Sequence, residues 1–306
     1  IVGLPNVGKS TIFSALSEAK AEVGNFPFCT IDPNTAIVEV PDQRLFEIHS
    51  RINTQKVIPA VVKVVDIAGL VKGASEGEGM GNKFLSNIKE CDAVMQVVRC
   101  FGGEKVLRDE AIDPLSDIEI IEMELALADL ATVERNIARL AKKLRLGDKE
   151  VSSQHETFVK AQAILADGHQ LRSAEWKPDE LAHLKPMFLM TIKPMLYVAN
   201  VADDDLNGEN EWCQAVAKHA AEHNCQWIPI CGDLELELRN LDAEDRDMFM
   251  EDLGVAELGL GRLIQSVYKL LGLQTYFTAG EKEVRAWTIH QGDSAPVAAG
   301  VIHTDF

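Results

Sequence analysis

The sequence lacks the features that define membrane, disulfide-rich or disordered proteins. Its 306 residues hold no run of 18 apolar residues, since the nearest, 186–202, contains Lys193 and two prolines. We therefore expect no membrane-spanning helix and no membrane partner. The six cysteines form no C-x-x-C pair and no metal-ligand spacing, which favours reduced thiols in a cytosolic protein. With 46% hydrophobic and 25% charged residues, extensive disorder is not expected.

Basic residues are scarce for a nucleic-acid-binding protein. Lys plus Arg number 30 against 48 Asp plus Glu, which gives a net charge of −18. Such a chain is a poor general binder of nucleic acid, so DNA is not expected as a partner. One local concentration of positive charge could be a solvated helix face or a contact surface for RNA. Its members are Arg135, Arg139, Lys142, Lys143, Arg145 and Lys149.

Short β-branched runs alternate with helical patterns through most of the chain. The runs are nearly continuous in apolar residues, as parallel strands covered on both faces are. This alternation predicts an α/β fold with a doubly wound parallel sheet. The predicted strands are 60–65, 93–98, 195–199 and 227–230, and the predicted helices are 9–17, 83–88, 211–223 and 261–271.

A helical hairpin is predicted between two strands of this sheet. Apolar residues recur at three- and four-residue steps after residue 117, and Gly147-Asp148 breaks the pattern. A second helical stretch follows, so the segment is typical of an antiparallel coiled coil. The stripe consists of Leu130, Val133, Ile137, Leu140 and Leu144, followed by Phe158, Ala161 and Leu165.

The last segment has the pattern of a small β unit. Residues 284–289 and 298–303 are predicted as two short strands. A unit of this size is too small to hold a core alone. The chain also begins at Ile1 without a methionine and ends abruptly at Phe306. We therefore expect that both ends are cut relative to the natural protein.

A phosphate-binding motif stands at the start of the chain. Gly3-Leu4-Pro5-Asn6-Val7-Gly8-Lys9-Ser10 fits G-x-x-x-x-G-K-[ST], between an apolar strand end and a predicted helix. Its backbone N–H groups and the helix N-terminus would surround phosphate oxygens. Lys9 is expected to reach the β- and γ-phosphates, and Ser10 to bind Mg²⁺.

Further candidates for metal binding and γ-phosphate sensing follow at the expected places. Asp66-Ile67-Ala68-Gly69 ends a predicted buried strand. Asp66 is expected to hold Mg²⁺, usually through water, and Gly69 to sense the γ-phosphate. Thr30 lies where a switch threonine would complete the Mg²⁺ shell, or it is an ordinary loop threonine. Leu70 stands where many GTPases have a glutamine that orients water.

A partial base-reading motif follows a later strand. Asn200-Val201-Ala202-Asp203 matches N-K-x-D at its Asn and Asp, with Val201 in place of the Lys. Asp203 by itself favours guanine. The neighbouring acids Asp204 and Asp205 favour a solvated turn that faces away from the base.

These motifs lie within longer segments that resemble one family, the Obg-like ATPases of the YchF type, within the translation-factor-related P-loop GTPases. The resemblance covers essentially the whole chain. Its segments are GLPNVGKST (3–11), NFPFCTIDPN (25–34), DIAGLVKGASEGEGMGNKFL (66–85), VVRCF (97–101) and LQTYFTAGEKEVRAWTI with the terminal HTDF (273–306).

The resemblance implies a domain order and an activity. It implies a P-loop NTPase domain over 1–116 and 187–272, a helical hairpin over 117–186, and a truncated β-grasp (TGS) domain over 273–306. It also implies a cytoplasmic ATPase that depends on Mg²⁺, uses GTP less well and associates with the ribosome through the basic hairpin end, the TGS domain or both.

The resemblance also implies site residues. Lys9, Thr30 and Gly69 would be catalytic, with Ser10, Thr30 and Asp66 at Mg²⁺, and Asn6 is placed to help hold a K⁺ ion. The implied nucleotide contacts are Asn6, Val7, Gly8, Lys9, Ser10, Thr11, Phe101, Asn200, Val201 and Gly232.

This chain departs from the family pattern at two places and agrees at Leu70, where the family carries a hydrophobic residue. Asp203 replaces the usual Glu of the base motif, and the loop 102–111 lacks the histidine that the family usually carries there. Three functions therefore stay open. They are a regulatory ATPase that docks on the ribosome, a GTPase of similar role, and a nucleotide-binding scaffold with negligible turnover.

Overall fold

The fold is described from a computed structural model, which covers residues 1–18, 34–52, 54–67, 80–102, 112–144, 149–253, 255, 257–303 and 305. Across those residues, no helix has the length and apolar character needed to cross a membrane.

A parallel sheet forms the centre of the molecule. Its strands β4 (Val94–Arg99), β5 (Met195–Asn200) and β6 (Gln226–Ile230) are adjacent in that order. Every position of β4 and β5 is buried, as their continuous apolar sequence predicts. The register pairs Arg99 with Asn200 and Asn200 with Ile230, so the three carboxyl ends meet at one edge.

The first residues of the chain extend this sheet. Val2 donates its N–H to Met95 O at 2.8 Å and accepts from Val97 N at 2.9 Å. On its other side, Ile1 N donates to Val65 O at 2.7 Å, at the end of β3 (Val61–Val65). β1 (Thr35–Glu39) pairs antiparallel with β3. The loop after Val2 therefore begins at the same edge as the loops that follow the other parallel strands.

Helices cover this sheet and share its core. α1 (Lys9–Glu18) packs against α8 (Gly232–Arg239), and α7 (Glu211–Glu222) packs on β5 and β6. α10 (Gly259–Leu270) contacts β5, β6 and residues 273–279. α10 buries Leu260, Leu263, Ile264 and Val267 at the three- and four-residue steps of an amphipathic helix. Further helices are α2 (Gln43–Arg51), α3 (Met80–Glu90) and α9 (Ala243–Asp252).

The predicted hairpin is present as α4 (Pro114–Leu144) and α5 (Lys149–Ala166), which pack along each other. Together with α6 (Pro178–Leu184) and the short 3₁₀ turns 171–173 and 185–187, they enclose a second apolar core. The predicted stripe contributes Leu130, Val133, Ile137 and Leu140 to this core. The predicted break at Gly147-Asp148 lies outside the described residues.

The C-terminal strands differ in part from the prediction. β7 (Leu273–Ala279) and β8 (Val284–His290) form an antiparallel pair, and β2 (Val57–Ile58) adds to β8 in parallel. The strand predicted at 298–303 is wrong, because α11 (Ala295–Gly300) occupies that position. Pro296 lies in its first turn, where its fixed φ favours a helix, and alanines follow. The domain boundaries stay predictions.

A buried polar cluster connects the hairpin to the central sheet. Glu122 of α4 accepts a hydrogen bond from the Tyr197 hydroxyl of β5 at 2.7 Å. Arg172 approaches the same carboxylate at 3.4 Å and His219 of α7 at 3.8 Å. We call Glu122, Arg172, Tyr197 and His219 the junction cluster. Burial alone would raise the pKa of Glu122, but His219, Arg172 and Tyr197 together lower it.

Replacing Glu122 with glutamine should therefore destabilise the protein in a pH-dependent way. The variant leaves Arg172 without its counter-charge, so we expect a loss of about 1–3 kcal/mol in the free energy of unfolding at pH 7. Because the folded-state pKa of Glu122 is lowered, this contribution is present above its ordinary pKa of 4.5 and is lost as the pH falls through the folded-state value. Urea denaturation at several pH values measures the difference.

The matched control is Glu119→Gln, since Glu119 lies exposed on the same helix. It should change the unfolding free energy by less than about 0.5 kcal/mol. Equal losses in the two variants, or a loss for Glu122→Gln that is constant with pH, would contradict the role of the cluster.

Candidate nucleotide-binding site

The first loop turns sharply between the sheet and α1. Asn6 has φ +63° and Gly8 has φ +86°, so both lie in the left-handed region. The turn lets α1 start at Lys9, and Ile12 N closes the first helical hydrogen bond to Gly8 O at 3.1 Å. The N-terminus of α1 therefore faces the loop, as anion binding requires. Ser10 is exposed there, while Lys9 is only 8% exposed.

Lys9 and Asp66 contact each other across the site. The Lys9 Nζ donates to Asp66 Oδ1 and forms an ion pair with it, although the two residues are 57 positions apart. Asp66 follows β3 directly, and its N–H donates to Asn34 O at 2.8 Å. The predicted phosphate-binding lysine and the predicted magnesium-binding aspartate thus lie side by side.

Asn200 holds three loops together at the carboxyl edge of the sheet. Its Nδ2 donates to Val7 O at 3.0 Å, and its Oδ1 accepts from Gly232 N at 3.0 Å. The residue is only 5% exposed. These bonds leave the amide with one N–H and one lone pair for any other partner. The sequence motif predicts that Asn200 contacts the base, whereas its part in holding the loops together is visible only in the structure.

Two glycines are required by the close approach of this asparagine. A Cβ on Gly8 would lie 2.0 Å from Asn200 Nδ2, at a φ that side chains rarely adopt. A Cβ on Gly232 would lie 3.3 Å from Asn200 Oδ1 and 2.9 Å from Ile12 Cγ1. Both glycines therefore let the phosphate loop pack directly against the loops after β5 and β6.

Val201 follows Asn200 directly, and Phe101 follows the neighbouring strand β4 at the same edge of the sheet. Val201 is 3% exposed, and its N–H donates to Ile230 O at 2.9 Å. The Arg99 guanidinium lies 5.2 Å from the ring centroid of Phe101 and donates to Phe101 O at 3.1 Å. Arg99 was not predicted, although it lies within the segment VVRCF.

The acidic turn after Asn200 is largely solvated, as predicted. Asp203 and Asp204 are exposed. Asp205 accepts from Glu209 N at 2.7 Å and from Asn210 N at 3.1 Å, so it organises the turn itself.

The structure thus brings several predicted residues to one edge of the sheet. Thr30, Gly69, Leu70 and most of the loop 102–111 lie outside the described residues, so their predicted roles stay predictions. The residues brought together are Asn6, Val7, Gly8, Lys9, Ser10, Thr11, Asp66, Phe101, Asn200, Val201 and Gly232.

Comparisons with known proteins agree with this geometry. A family model described as "50S ribosome-binding GTPase" matches residues 1–143, and the model of the C-terminal YchF GTPase domain, described as "Protein of unknown function (DUF933)", matches residues 273–306. The chain is 47% identical to the "Ribosome-binding ATPase YchF" of Bacillus subtilis (strain 168) and 48% identical to that of Escherichia coli O157:H7. Each match covers 100% of this chain and 84% of the relative.

The chain belongs to the YchF family. The solved structure of the Schizosaccharomyces pombe YchF GTPase matches it with a TM-score of 0.87 and 36% identity, over 100% of this chain and 83% of that one. The predicted family and the predicted α/β fold class are therefore confirmed. Membership of the YchF family also identifies the protein as a P-loop nucleotide hydrolase.

Gly8→Ala tests whether the contact with Asn200 shapes the phosphate loop. The added methyl would overlap Asn200 Nδ2 and force the loop away from it. We expect affinity for a nucleoside triphosphate to fall by about tenfold or more, which corresponds to roughly 1.4 kcal/mol. Isothermal titration calorimetry measures the change.

Gly280→Ala is the matched control, because a Cβ there meets no atom within 4 Å and its φ is not positive. Its nucleotide affinity should equal that of the wild type. Unchanged affinity in Gly8→Ala would show that the loop does not depend on the close approach.

Proposed function

We propose that this protein is a cytoplasmic, ribosome-associated regulatory ATPase that hydrolyses ATP to ADP and phosphate with Mg²⁺ and uses GTP less well. The main support for this proposal is the contact of Lys9, at the end of the phosphate loop, with Asp66. A cation for phosphate and an anion for metal lie together there, at the N-terminus of α1. Relatives named "Ribosome-binding ATPase YchF" support the choice of nucleotide and partner.

The donor atoms at the site fit Mg²⁺. Ser10, exposed at the start of α1, offers a hydroxyl oxygen, and Asp66, in contact with the preceding Lys9, offers a carboxylate. Mg²⁺ prefers oxygen ligands of this kind. We propose that these two residues, with Thr30, hold the metal, which would supply positive charge to the phosphates. Lys9 would then exchange Asp66 for phosphate oxygens, since both partners are anionic. We also propose that Asn6, exposed at the turn, helps to hold a K⁺ ion.

The base site favours adenine in three respects. Val201 stands at the position of the lysine that normally packs along guanine, and it is buried in the core instead. Asp203 is exposed, so its carboxylate stays hydrated and costs little free energy when no guanine donor binds it. Asn200 retains one donor and one acceptor, which suit the N7 and N6 groups of adenine.

Calorimetric titration with non-hydrolysable ATP and GTP analogues tests the nucleotide preference. We expect ATP to bind up to about tenfold more tightly, because contacts of one carboxylate are worth on the order of 1–3 kcal/mol. Asp203→Ala should leave ATP affinity unchanged and weaken GTP, while Lys9→Ala should weaken both. Tighter GTP binding that Asp203→Ala abolishes would identify a GTPase instead. Binding without phosphate release in a single-turnover assay with Mg²⁺ and K⁺ would identify a scaffold.

The basic end of the hairpin is the proposed contact with ribosomal RNA. Arg139, Lys143 and Lys149 are exposed there, and no ion pair involves them among the described residues. Arg135 is less available to a partner, because its guanidinium donates hydrogen bonds to Ala131 O and to Thr132 Oγ1 on its own helix. The net charge of the chain is −18, so a phosphate backbone would gain the most favourable electrostatic free energy at this local positive surface. The C-terminal strands are the alternative route of docking.

Reversing Arg139, Lys143 and Lys149 to glutamate should reduce co-sedimentation with ribosomes. The affinity should fall by about tenfold or more, with a weaker dependence on salt, while ATP hydrolysis without ribosomes should persist. The control reverses Lys63, Lys218 and Lys269, which are exposed elsewhere and change the net charge equally. Equal loss in both variants would indicate an effect of net charge alone.

A further inference from the structure

A buried arginine stands beside the predicted nucleotide contacts at the carboxyl edge of the sheet. Arg99 is the last residue of β4 and pairs in register with Asn200 of β5. It is only 5% exposed, and no ion pair involves it among the described residues. Burial of a charged group without a counter-charge costs free energy, so stability alone does not explain an arginine at this position.

The guanidinium of Arg99 contacts Phe101 at two points. It lies 5.2 Å from the centroid of the Phe101 ring, within the range of a cation–π contact. Its Nε also donates to Phe101 O at 3.1 Å. Arg99 therefore restrains both the aromatic ring and the backbone carbonyl group of the same residue.

The backbone between these two residues is fixed by other contacts. Cys100 N donates to Asn200 O at 2.8 Å, and Cys100 O accepts from Asn210 Nδ2 at 3.0 Å. Asn210 is itself held in place as the N-cap of α7. Phe101 comes next along the chain, so Arg99 supplies a restraint at the point where the paired strand has ended.

A similar contact on β8 shows what is particular to Arg99. Arg285 lies 3.9 Å from the ring centroid of Trp287, with the same spacing of two residues along a strand. Arg285 is partly exposed, so its charge remains partly in water. The buried cation is therefore found at the pair that adjoins the predicted nucleotide contacts, and not at the pair in the C-terminal strands.

We propose that Arg99 is a positioning residue for recognition of the nucleotide base, because it holds the Phe101 side chain in the orientation that stacks on the base. The inference rests on the proposed function and on the predicted contact of Phe101 with the nucleotide. An aromatic side chain that is ordered before binding loses little rotamer freedom on binding, so the stacking contact costs less free energy. Arg99 acts through Phe101 and makes no contact of its own with the nucleotide.

Arg99→Met tests the proposal by separating the base from the phosphates. Methionine fills a buried position without a charge, so the melting temperature should not fall. Calorimetric titration with Mg²⁺ compares a non-hydrolysable ATP analogue with inorganic tripolyphosphate, which has no base. We expect the affinity for the ATP analogue to fall by about three- to tenfold, because Phe101 must then be ordered on binding. The affinity for tripolyphosphate should stay unchanged.

Two further variants identify the route of the effect. Phe101→Ala removes the ring, so adding Arg99→Met to it should weaken binding of the ATP analogue no further, as expected when one residue acts only through the other. Arg99→Lys keeps the charge but has no planar group to stack on the ring, so it should lose as much affinity as Arg99→Met. The matched control is Arg285→Met, which removes the same kind of contact on β8 and should leave both affinities unchanged.

Four outcomes would overturn the role of Arg99 and leave the proposed function intact. They are unchanged affinity of Arg99→Met for the ATP analogue, equal losses for the ATP analogue and tripolyphosphate, additive losses in the double variant with Phe101→Ala, and full affinity in Arg99→Lys. A lowered melting temperature of Arg99→Met would make Arg99 a structural residue and would also overturn the proposal. If the wild-type protein binds neither ligand, or binds the two equally, the proposed recognition of ATP fails together with the role of Arg99.

Discussion

The arrangement of the site depends on the two hydrogen bonds of the Asn200 side chain. One amide joins the phosphate loop to the loop after β6, and it does so from the end of the strand between them. It is nearly fully buried, so its donor and acceptor would each cost about 1–3 kcal/mol if left unpaired. This cost fixes the distance between the phosphate loop and the loop after β6. The relative position of the two loops is thus set by contacts within the protein.

The parallel register of the sheet makes this contact possible. β4, β5 and β6 end level with one another, and Ile1 and Val2 extend the sheet toward β3. Loops that leave one edge together can bring residues 57 positions apart, Lys9 and Asp66, into contact. The opposite charges partly compensate each other, which lets Lys9 remain 8% exposed without the full cost of a buried cation.

Much of the fold and of the site could be predicted from local sequence patterns. The phosphate loop, the buried strands and the hairpin stripe each follow from spacing within a few residues. The strand predicted at 298–303 is wrong because Val301 and Ile302 favour strands by themselves. The preceding Pro296 and the alanines of the same segment favour a helix more strongly.

Contacts between distant segments were not predictable in this way. The parallel pairing of Val57–Ile58 with β8 joins residues more than 200 positions apart, and no local pattern encodes it. The bracing role of Asn200 was missed for the same reason. Its partners, Val7 and Gly232, are recognised only when the three loops are seen at one edge.

β5 connects the end of α3, the hairpin and the edge of the sheet where the predicted site residues lie. Lys193, just before it, holds the end of α3; Tyr197 within it bonds the hairpin through Glu122; and Asn200 ends it. A fully buried strand with neighbours on both sides is rigid, so it can fix positions but cannot itself switch. Any exchange of information between nucleotide and partner therefore requires a second element with two arrangements. Under the proposed function, the Lys9–Asp66 pair would meet that requirement, because phosphate would compete for its cation and a metal for its anion.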